Sequence, residues 1–146
     1  NSLAVGLTAA WALGQALLAG RGNPWRKRTL MRLADGDGRP FPGAEQRYIM
    51  LASTLESFAF GLKPFGDARE GIKVTVLDTP ARRSLLRIPG VALGRRPRRA
   101  ERLGYHWFEP EAFEMELGER FILDGEAFPA GRYCVSAGPE LRFVVP

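Results

Sequence analysis

Short apolar runs separated by glycine and proline are the feature that most limits what this chain can fold into. The sequence holds 17 glycines and 11 prolines, many of them between such runs. Glycine and proline occupy turns and interrupt regular elements, so this spacing is typical of chains rich in β-structure. The segment 72–76, Ile-Lys-Val-Thr-Val, alternates cleanly and predicts a strand. The pattern therefore predicts a mainly β fold.

The remaining elements follow from the same reading. Further strands are predicted at residues 29–34, 48–53, 113–117, 121–123, 132–136 and 141–145. Asp35-Gly36-Asp37-Gly38 predicts a hairpin turn, because no helix with a Lys, Ser or Thr follows to form a phosphate loop. A short helix is predicted to open at Asp78-Thr79-Pro80, with Thr79 as its cap and Leu85, Leu86 and Ile88 on its apolar side. Pro89-Gly90 is predicted to end it.

Length and composition point to one soluble domain. The chain has 146 residues, of which 45% are hydrophobic and 25% charged, which is enough to bury a core. Cys134 is the only cysteine, so no intrachain disulfide forms, and its strand-like surroundings predict a core thiol. His106 is the only histidine and is predicted to be a strand residue. The composition excludes a zinc site built from His and Cys, and no Ser-His-Asp arrangement stands out.

The net charge of +5 and the pI of about 10.0 come almost entirely from arginine. Five arginines crowd one predicted loop: Arg95, Arg96, Arg98, Arg99 and Arg102. Two interpretations stay open, a solvated loop and a surface that contacts phosphate or anionic lipid headgroups. The neighbouring aromatic residues Tyr105, Trp107 and Phe108 could stack on nucleic acid bases, lie at a membrane interface or belong to the core.

Residues 2–20 carry no charged side chain. Their leucines and Trp11 recur roughly at helical spacing, which favours a buried or docking amphipathic helix over a membrane span. The chain begins at Asn1 without an initiator methionine, and we expect it to be part of a longer protein.

Asp124-Gly125-Glu126 is the strongest candidate for chemistry. Two carboxylates two residues apart point to the same side of an extended segment, and the glycine allows close approach of a ligand. In phosphoryl transfer, one carboxylate can take a proton from an attacking hydroxyl while the other holds a metal ion or orients the nucleotide. The alternative for the same residues is a polar hairpin turn.

The order of these motifs resembles a known family. A Pro-containing loop closed by Glu70-Gly71-Ile72-Lys73-Val74 is followed by a Leu-rich helix, a basic loop, Asp124-Gly125-Glu126 and a closing segment at residues 138–146. This series is similar to the C-terminal domain of the diacylglycerol kinase and sphingosine kinase superfamily, especially its bacterial lipid kinases. The resemblance is best at residues 61–146 and weak at residues 1–50.

The resemblance implies a β-sandwich, of the type shared with NAD kinases, with one or two short helices. Residues 1–146 would form the C-terminal domain of a two-domain kinase, whose N-terminal nucleotide-binding domain is absent from this chain. The whole enzyme would transfer phosphate from ATP to a lipid hydroxyl such as that of diacylglycerol. The isolated chain would be inactive. The resemblance also implies a cytoplasmic protein that meets its lipid substrate at a membrane surface. It implies no nucleic acid partner.

The resemblance also implies roles for individual residues. Asp124 would be the general base. Glu126, with Gly125 beside it, would help to hold Mg²⁺ and the phosphates of ATP. Glu70 stands where some family members have a metal-binding Asp, and its longer side chain would place the oxygens differently. The second hypothesis is a non-catalytic basic β-domain that binds nucleic acid or an anionic membrane.

Overall fold

The computed structural model describes residues 27–58, 61–68 and 71–138. In this part of the chain the strands are β1 (Thr29–Asp35), β2 (Gln46–Arg47), β3 (Ile49–Ser53), β4 (Lys73–Leu77), β5 (Tyr105–Phe108), β6 (Ala112–Leu117), β7 (Phe121–Leu123), β8 (Glu126–Phe128) and β9 (Gly131–Ser136). The helices are α1 (Arg82–Leu85), α2 (Ile88–Ala92) and a 3₁₀ helix (Ala100–Leu103). The predicted mainly β fold is confirmed.

A four-stranded antiparallel sheet has the strand order β2-β1-β6-β9. Its register places Arg32 opposite Glu116 and Glu116 opposite Arg132, and these side chains lie on the solvent side. The intervening residues Leu33 and Met115 are paired in the same register and are buried. Alternation with period two therefore gives this sheet one polar and one apolar face.

A second, three-stranded antiparallel sheet has the order β3-β4-β5. The central strand β4 is buried at all five positions, so both of its faces are covered. Val74 and Val76 point to one side, where they meet Leu33, Phe113 and Met115 of the four-stranded sheet. The two sheets thus pack face to face around the main core.

A smaller core covers the other side of the three-stranded sheet. Leu77 and Tyr105 of this sheet pack there with Leu85 of α1 and Val91 of α2. The hydroxyl of Tyr105 donates a hydrogen bond to the Ser84 carbonyl oxygen at 2.7 Å. This bond and the apolar contacts attach the helical segment to the sheet.

Burial raises the pKa of the Tyr105 hydroxyl from the ordinary value of 10.0 to about 12. A folded-state pKa above the unfolded value stabilises the fold fully below about pH 10, and this contribution is lost as the pH rises towards about 12. The loss amounts to about 2–3 kcal/mol for a shift of this size. We expect urea unfolding of Tyr105→Phe to show a flatter decline of stability over that window than wild type. An equally steep decline would contradict the assignment.

The helical segment differs from its prediction in two ways. The first helix begins at Arg82, with Ala81 rather than Thr79 at the N-cap position and no side-chain cap. Pro89-Gly90 does not end helical structure, because Pro89 lies in the first turn of α2, where its missing N–H costs nothing. Leu85 is fully buried as predicted, whereas Leu86 is 65% exposed and not part of the apolar side.

Three further predictions have clear outcomes. The turn after β1 is confirmed, and the Asp35 carboxylate accepts hydrogen bonds from the backbone N–H groups of Asp37 and Arg39. His106 lies in β5, as predicted.

Cys134 is exposed, so the predicted core thiol is wrong. It lies in β9, the last strand of its sheet within the described residues, where the inward positions are taken by its two neighbours, Tyr133 and Val135.

Some predicted segments lie outside the described residues, namely residues 2–20, Glu70 and residues 141–145. Within the described ranges, the helices are all too short or too polar to cross a bilayer.

Candidate functional site

Asp124 and Gly125 form the two-residue turn of a hairpin that lies outside the two main sheets. Strands β7 and β8 pair antiparallel, with Leu123 opposite Glu126 at the end of the ladder. Both turn residues have positive φ, 49° at Asp124 and 87° at Gly125. Such a turn matches the twist of a hairpin, and Asp-Gly is its preferred sequence because Asp tolerates this conformation and glycine adopts it freely.

The base of this hairpin is fixed by aromatic packing. Phe121 stacks on Phe128 with ring centroids 5.5 Å apart and meets Tyr133 of β9 edge-on at 5.0 Å. Phe121 and Tyr133 also pack against the main core. The Tyr133 hydroxyl donates a hydrogen bond to the Pro129 carbonyl oxygen at 2.8 Å. The turn is therefore carried by a base that is anchored to the sandwich.

The tip of the hairpin is exposed in the described part of the chain. Asp124, Gly125 and Glu126 are exposed, and among the described residues no atom lies within 4 Å of the position where a Cβ on Gly125 would stand. Among the described residues, neither carboxylate forms a hydrogen bond or an ion pair. Next to the turn, Ile122 is 75% exposed and Leu123 is 51% exposed. The tip thus presents two acids and two apolar side chains to whatever lies beyond it.

The local geometry corrects one sequence expectation. Asp124 lies in a left-handed turn rather than in an extended segment, so the two carboxylates do not project from one side of a strand. They lie instead on either side of Gly125 at the end of the hairpin. Glu70 lies outside the described residues. Within residues 27–58, 61–68 and 71–138 no three metal-ligating side chains come together, so the two acids are the metal donors that this part of the chain offers at the tip.

A buried ionic cluster, which the sequence reading missed, lies at the end of β4. Asp78 accepts a hydrogen bond from Arg47 Nη1 at 2.9 Å and lies 2.9 Å from His106 Nε2. The backbone N–H of Ala44 donates to the same carboxylate at 3.0 Å. The Arg47 side chain is only 2% exposed and also donates to the carbonyl oxygens of Met31 and Pro42. The cluster joins β2 and the preceding loop to the three-stranded sheet.

Gly43 allows this cluster to close. Its φ is +109°, and a Cβ there would stand 2.7 Å from Asp78 Oδ2 and 2.9 Å from Arg47 Nη1. A larger residue would therefore push the ion pair apart. Because Arg47, Asp78 and His106 are all satisfied within the fold and two of them are buried, we interpret the cluster as structural.

Three of the five arginines in the predicted cluster, Arg98, Arg99 and Arg102, lie on an open face beside α1. An open groove of about 510 Å³ is lined by Arg83, Arg87, Arg98, Arg99 and Arg102, with Leu86 and Leu103 between them. We call these seven residues the arginine face. Arg83 and Arg87 come from the helical segment, whose contribution the sequence reading missed. Arg96 points elsewhere, 5.2 Å above the ring of Trp107.

The aromatic residues near the arginines are packed inside the fold. Tyr105 is buried in the smaller core. Trp107 donates a hydrogen bond from Nε1 to the Pro64 carbonyl oxygen at 3.1 Å and is covered by Arg96. Phe108 stacks on Phe41 at 4.4 Å. None of these three rings offers a free face for a nucleic acid base, so the stacking interpretation is not supported.

A further concavity of about 530 Å³ lies over the polar side of the four-stranded sheet. Arg32 bridges Glu45 and Glu116 there, with N–O distances of 3.2 and 3.3 Å. Its hydrogen bonds to Glu45 and then to Glu116 raise the pKa of Arg32 above its ordinary value. These charges are paired with one another across the strands, as is common on an exposed sheet face.

Among solved structures, the chain resembles the crystal structure of a "putative diacylglycerol kinase" from Bacillus anthracis str. Sterne. The similarity covers 85% of this chain, with a TM-score of 0.51 and 10% sequence identity. A structural similarity at 10% sequence identity shows a common fold. This chain spans 40% of the length of the Bacillus protein. No protein-family model and no curated protein sequence matches the chain.

Proposed function

We propose that this chain is the C-terminal β-domain of an ATP-dependent lipid kinase and that it supplies the general base of phosphoryl transfer. The observation that carries the proposal is the Asp124-Gly125-Glu126 turn, which stands exposed at the end of an anchored hairpin in a domain whose fold resembles part of a diacylglycerol kinase. The first of these acids is the base that we propose, and its setting suits a second domain that closes over it.

The environment of Asp124 suits a general base whose substrate is bound outside this domain. Its carboxylate has no partner among the described residues, so both oxygens are available to a hydroxyl group. The turn holds it on a short hairpin whose base is locked by Phe121, Phe128 and Tyr133. Phosphoryl transfer depends mainly on positioning and charge stabilisation, and a base on a rigid β-support serves the first of these.

Glu126 also fits Mg²⁺ by its chemistry. Mg²⁺ prefers oxygen ligands and is usually held by one or two carboxylates together with water and substrate phosphates. Glu126 provides such a carboxylate, and a bound ion would neutralise charge on the phosphates of ATP. Among the described residues nothing crowds Gly125, which leaves room for a nucleotide to approach the turn. Glu70 is the second metal donor of this proposal, on the strength of the family resemblance.

The proposal is tested by assaying the full gene product that contains this chain. Transfer of labelled phosphate from ATP would be measured with a panel of hydroxyl lipids, comprising diacylglycerol, a sphingoid base and phosphatidylglycerol. We expect Mg²⁺-dependent formation of one lipid phosphate by the full product and none by residues 1–146 alone, since the nucleotide-cradling loop is not in this sequence. A full product that binds ATP but phosphorylates no lipid of the panel would count against a lipid kinase.

A further inference from the structure

The positive charge of this protein is concentrated in one segment. Residues 82–103 contain eight arginines and a single acidic residue, Glu101, giving a net charge of +7. The whole chain carries +5, so the other 124 residues together carry −2. A general preference for arginine in the composition would spread the charge along the chain. The excess therefore belongs to the helical segment and the 3₁₀ helix.

The fold brings several of these arginines together, without an acidic partner among the described residues. Five of them surround the groove of the arginine face, which is about 510 Å³ in volume. Within the described residues no acidic side chain forms an ion pair with any of the five, in contrast to Arg32 and Arg47, which are both paired. Like charges held this close repel one another, and an anionic partner would relieve that repulsion.

Exposed leucines accompany the charge. Leu86, which lines the groove of the arginine face, is 65% exposed, and Leu93, at the end of α2, is 57% exposed. Neither belongs to the cores of the domain. Cationic side chains that surround exposed apolar ones match the boundary between headgroups and acyl chains of a bilayer.

We propose that the arginine face docks this protein on an anionic phospholipid bilayer, with Leu86 reaching below the headgroups. A membrane fits better than a nucleic acid, because an exposed aliphatic side chain lines the same groove as the arginines and the nearby aromatic rings are packed against other residues of the fold. The inference does not depend on the kinase activity or on Asp124. For a lipid kinase it would also bring the enzyme to its acceptor.

The test is co-sedimentation of this chain with unilamellar vesicles. We expect binding to phosphatidylcholine vesicles that contain about 30% phosphatidylglycerol, weaker binding as NaCl is raised, and little binding to pure phosphatidylcholine. The double variant Arg98→Gln/Arg102→Gln should weaken the partition coefficient by about 30-fold, since each arginine near an anionic surface contributes roughly a factor of five. Leu86→Gln should weaken it by about fivefold.

The matched control is Arg28→Gln/Arg39→Gln, which removes the same charge from exposed positions outside the arginine face. It should bind within about twofold of wild type if the location is right. Equal losses in both double variants, or no vesicle binding by wild type, would overturn the proposal. Binding of single-stranded DNA without vesicle binding would overturn it in favour of a nucleic acid surface. Asp124→Asn should bind vesicles like wild type, so this test and the kinase assay can fail separately.

Discussion

Replacement of Asp78 by alanine is expected to lower the free energy of unfolding by about 3–5 kcal/mol, because it leaves the buried Arg47 without its counter-ion. The Arg47 side chain is 2% exposed and its Nη1 lies 2.9 Å from the Asp78 carboxylate. Removal of that carboxylate also takes away the acceptor for the Ala44 N–H and the partner of His106.

The direction of this effect follows from two opposing influences on the charge of Arg47, its burial and the neighbouring carboxylate of Asp78. Burial lowers the pKa of Arg47 below its ordinary value, and the charge of Asp78 acts in the opposite sense. Without Asp78 only the cost of burial remains. The two carbonyl oxygens that Arg47 contacts, those of Met31 and Pro42, cannot replace a full negative charge.

Thermal and urea unfolding measure the effect directly. A loss of this size corresponds to a fall in the melting temperature of about 10 °C for a domain of this length. The matched control is Asp37→Ala, since Asp37 is an exposed acid in the turn after β1, and we expect a change within about 0.5 kcal/mol. If Asp78→Ala is no less stable than this control, the ionic cluster does not support the fold as described.

The sequence predicted the elements whose signals are local. The alternation around Val74 and Val76 marked β4, and Asp35 with its glycines marked the turn after β1. Both depend on residues within a few positions of each other, where backbone preference and hydrogen bonding decide the outcome. The Asp124-Gly125 turn belongs to the same class, and its turn geometry was the alternative weighed against an extended segment.

The ionic cluster could not be predicted in this way. Asp78 lies 31 residues from Arg47 and 28 residues from His106, so no local pattern joins them. They meet because β5, which carries His106, pairs with β4 just before Asp78, and the residue after Arg47, Tyr48, donates its backbone N–H to the carbonyl oxygen of Leu77 at the end of β4. Asp78, two residues before Pro80, carries no local sign of this contact, and the sequence Asp78-Thr79-Pro80 instead predicted a helix capped by Thr79.

The wrong prediction for Cys134 has a similar origin. Alternation along β9 indicated a strand, but it did not show which of the two alternating sets of side chains faces the core. Tyr133 and Val135 pack on the core, which leaves the thiol on the solvent side. The sequence likewise predicted only part of the arginine face. Arg83 and Arg87 join it from α1 and its C-terminal end, because folding places them beside the loop arginines.

Replacement of Asp124 by asparagine is expected to lower kcat for lipid phosphorylation by about 10²–10⁴-fold in the full gene product, the usual range for loss of a general base. Asparagine keeps the size of the side chain and tolerates the positive φ of this turn position. It cannot accept a proton from the attacking hydroxyl. The fold should be unaffected, because the Asp124 side chain is exposed and has no partner among the described residues.

Asp37→Asn provides the matched control for this variant, because it makes the same chemical change at the exposed turn after β1. We expect its kcat to stay within about twofold of wild type. A comparable loss in both variants would point to a general effect of charge on the protein and not to a base at Asp124.

The most direct test of a general base at Asp124 measures two quantities on one preparation of Asp124→Asn, namely kcat for lipid phosphorylation and Kd for Mg²⁺-ATP. We predict a fall in kcat of at least about 100-fold with nucleotide affinity nearly unchanged, because the base acts on the lipid hydroxyl. A kcat within about threefold of wild type would contradict the role of this acid in proton transfer.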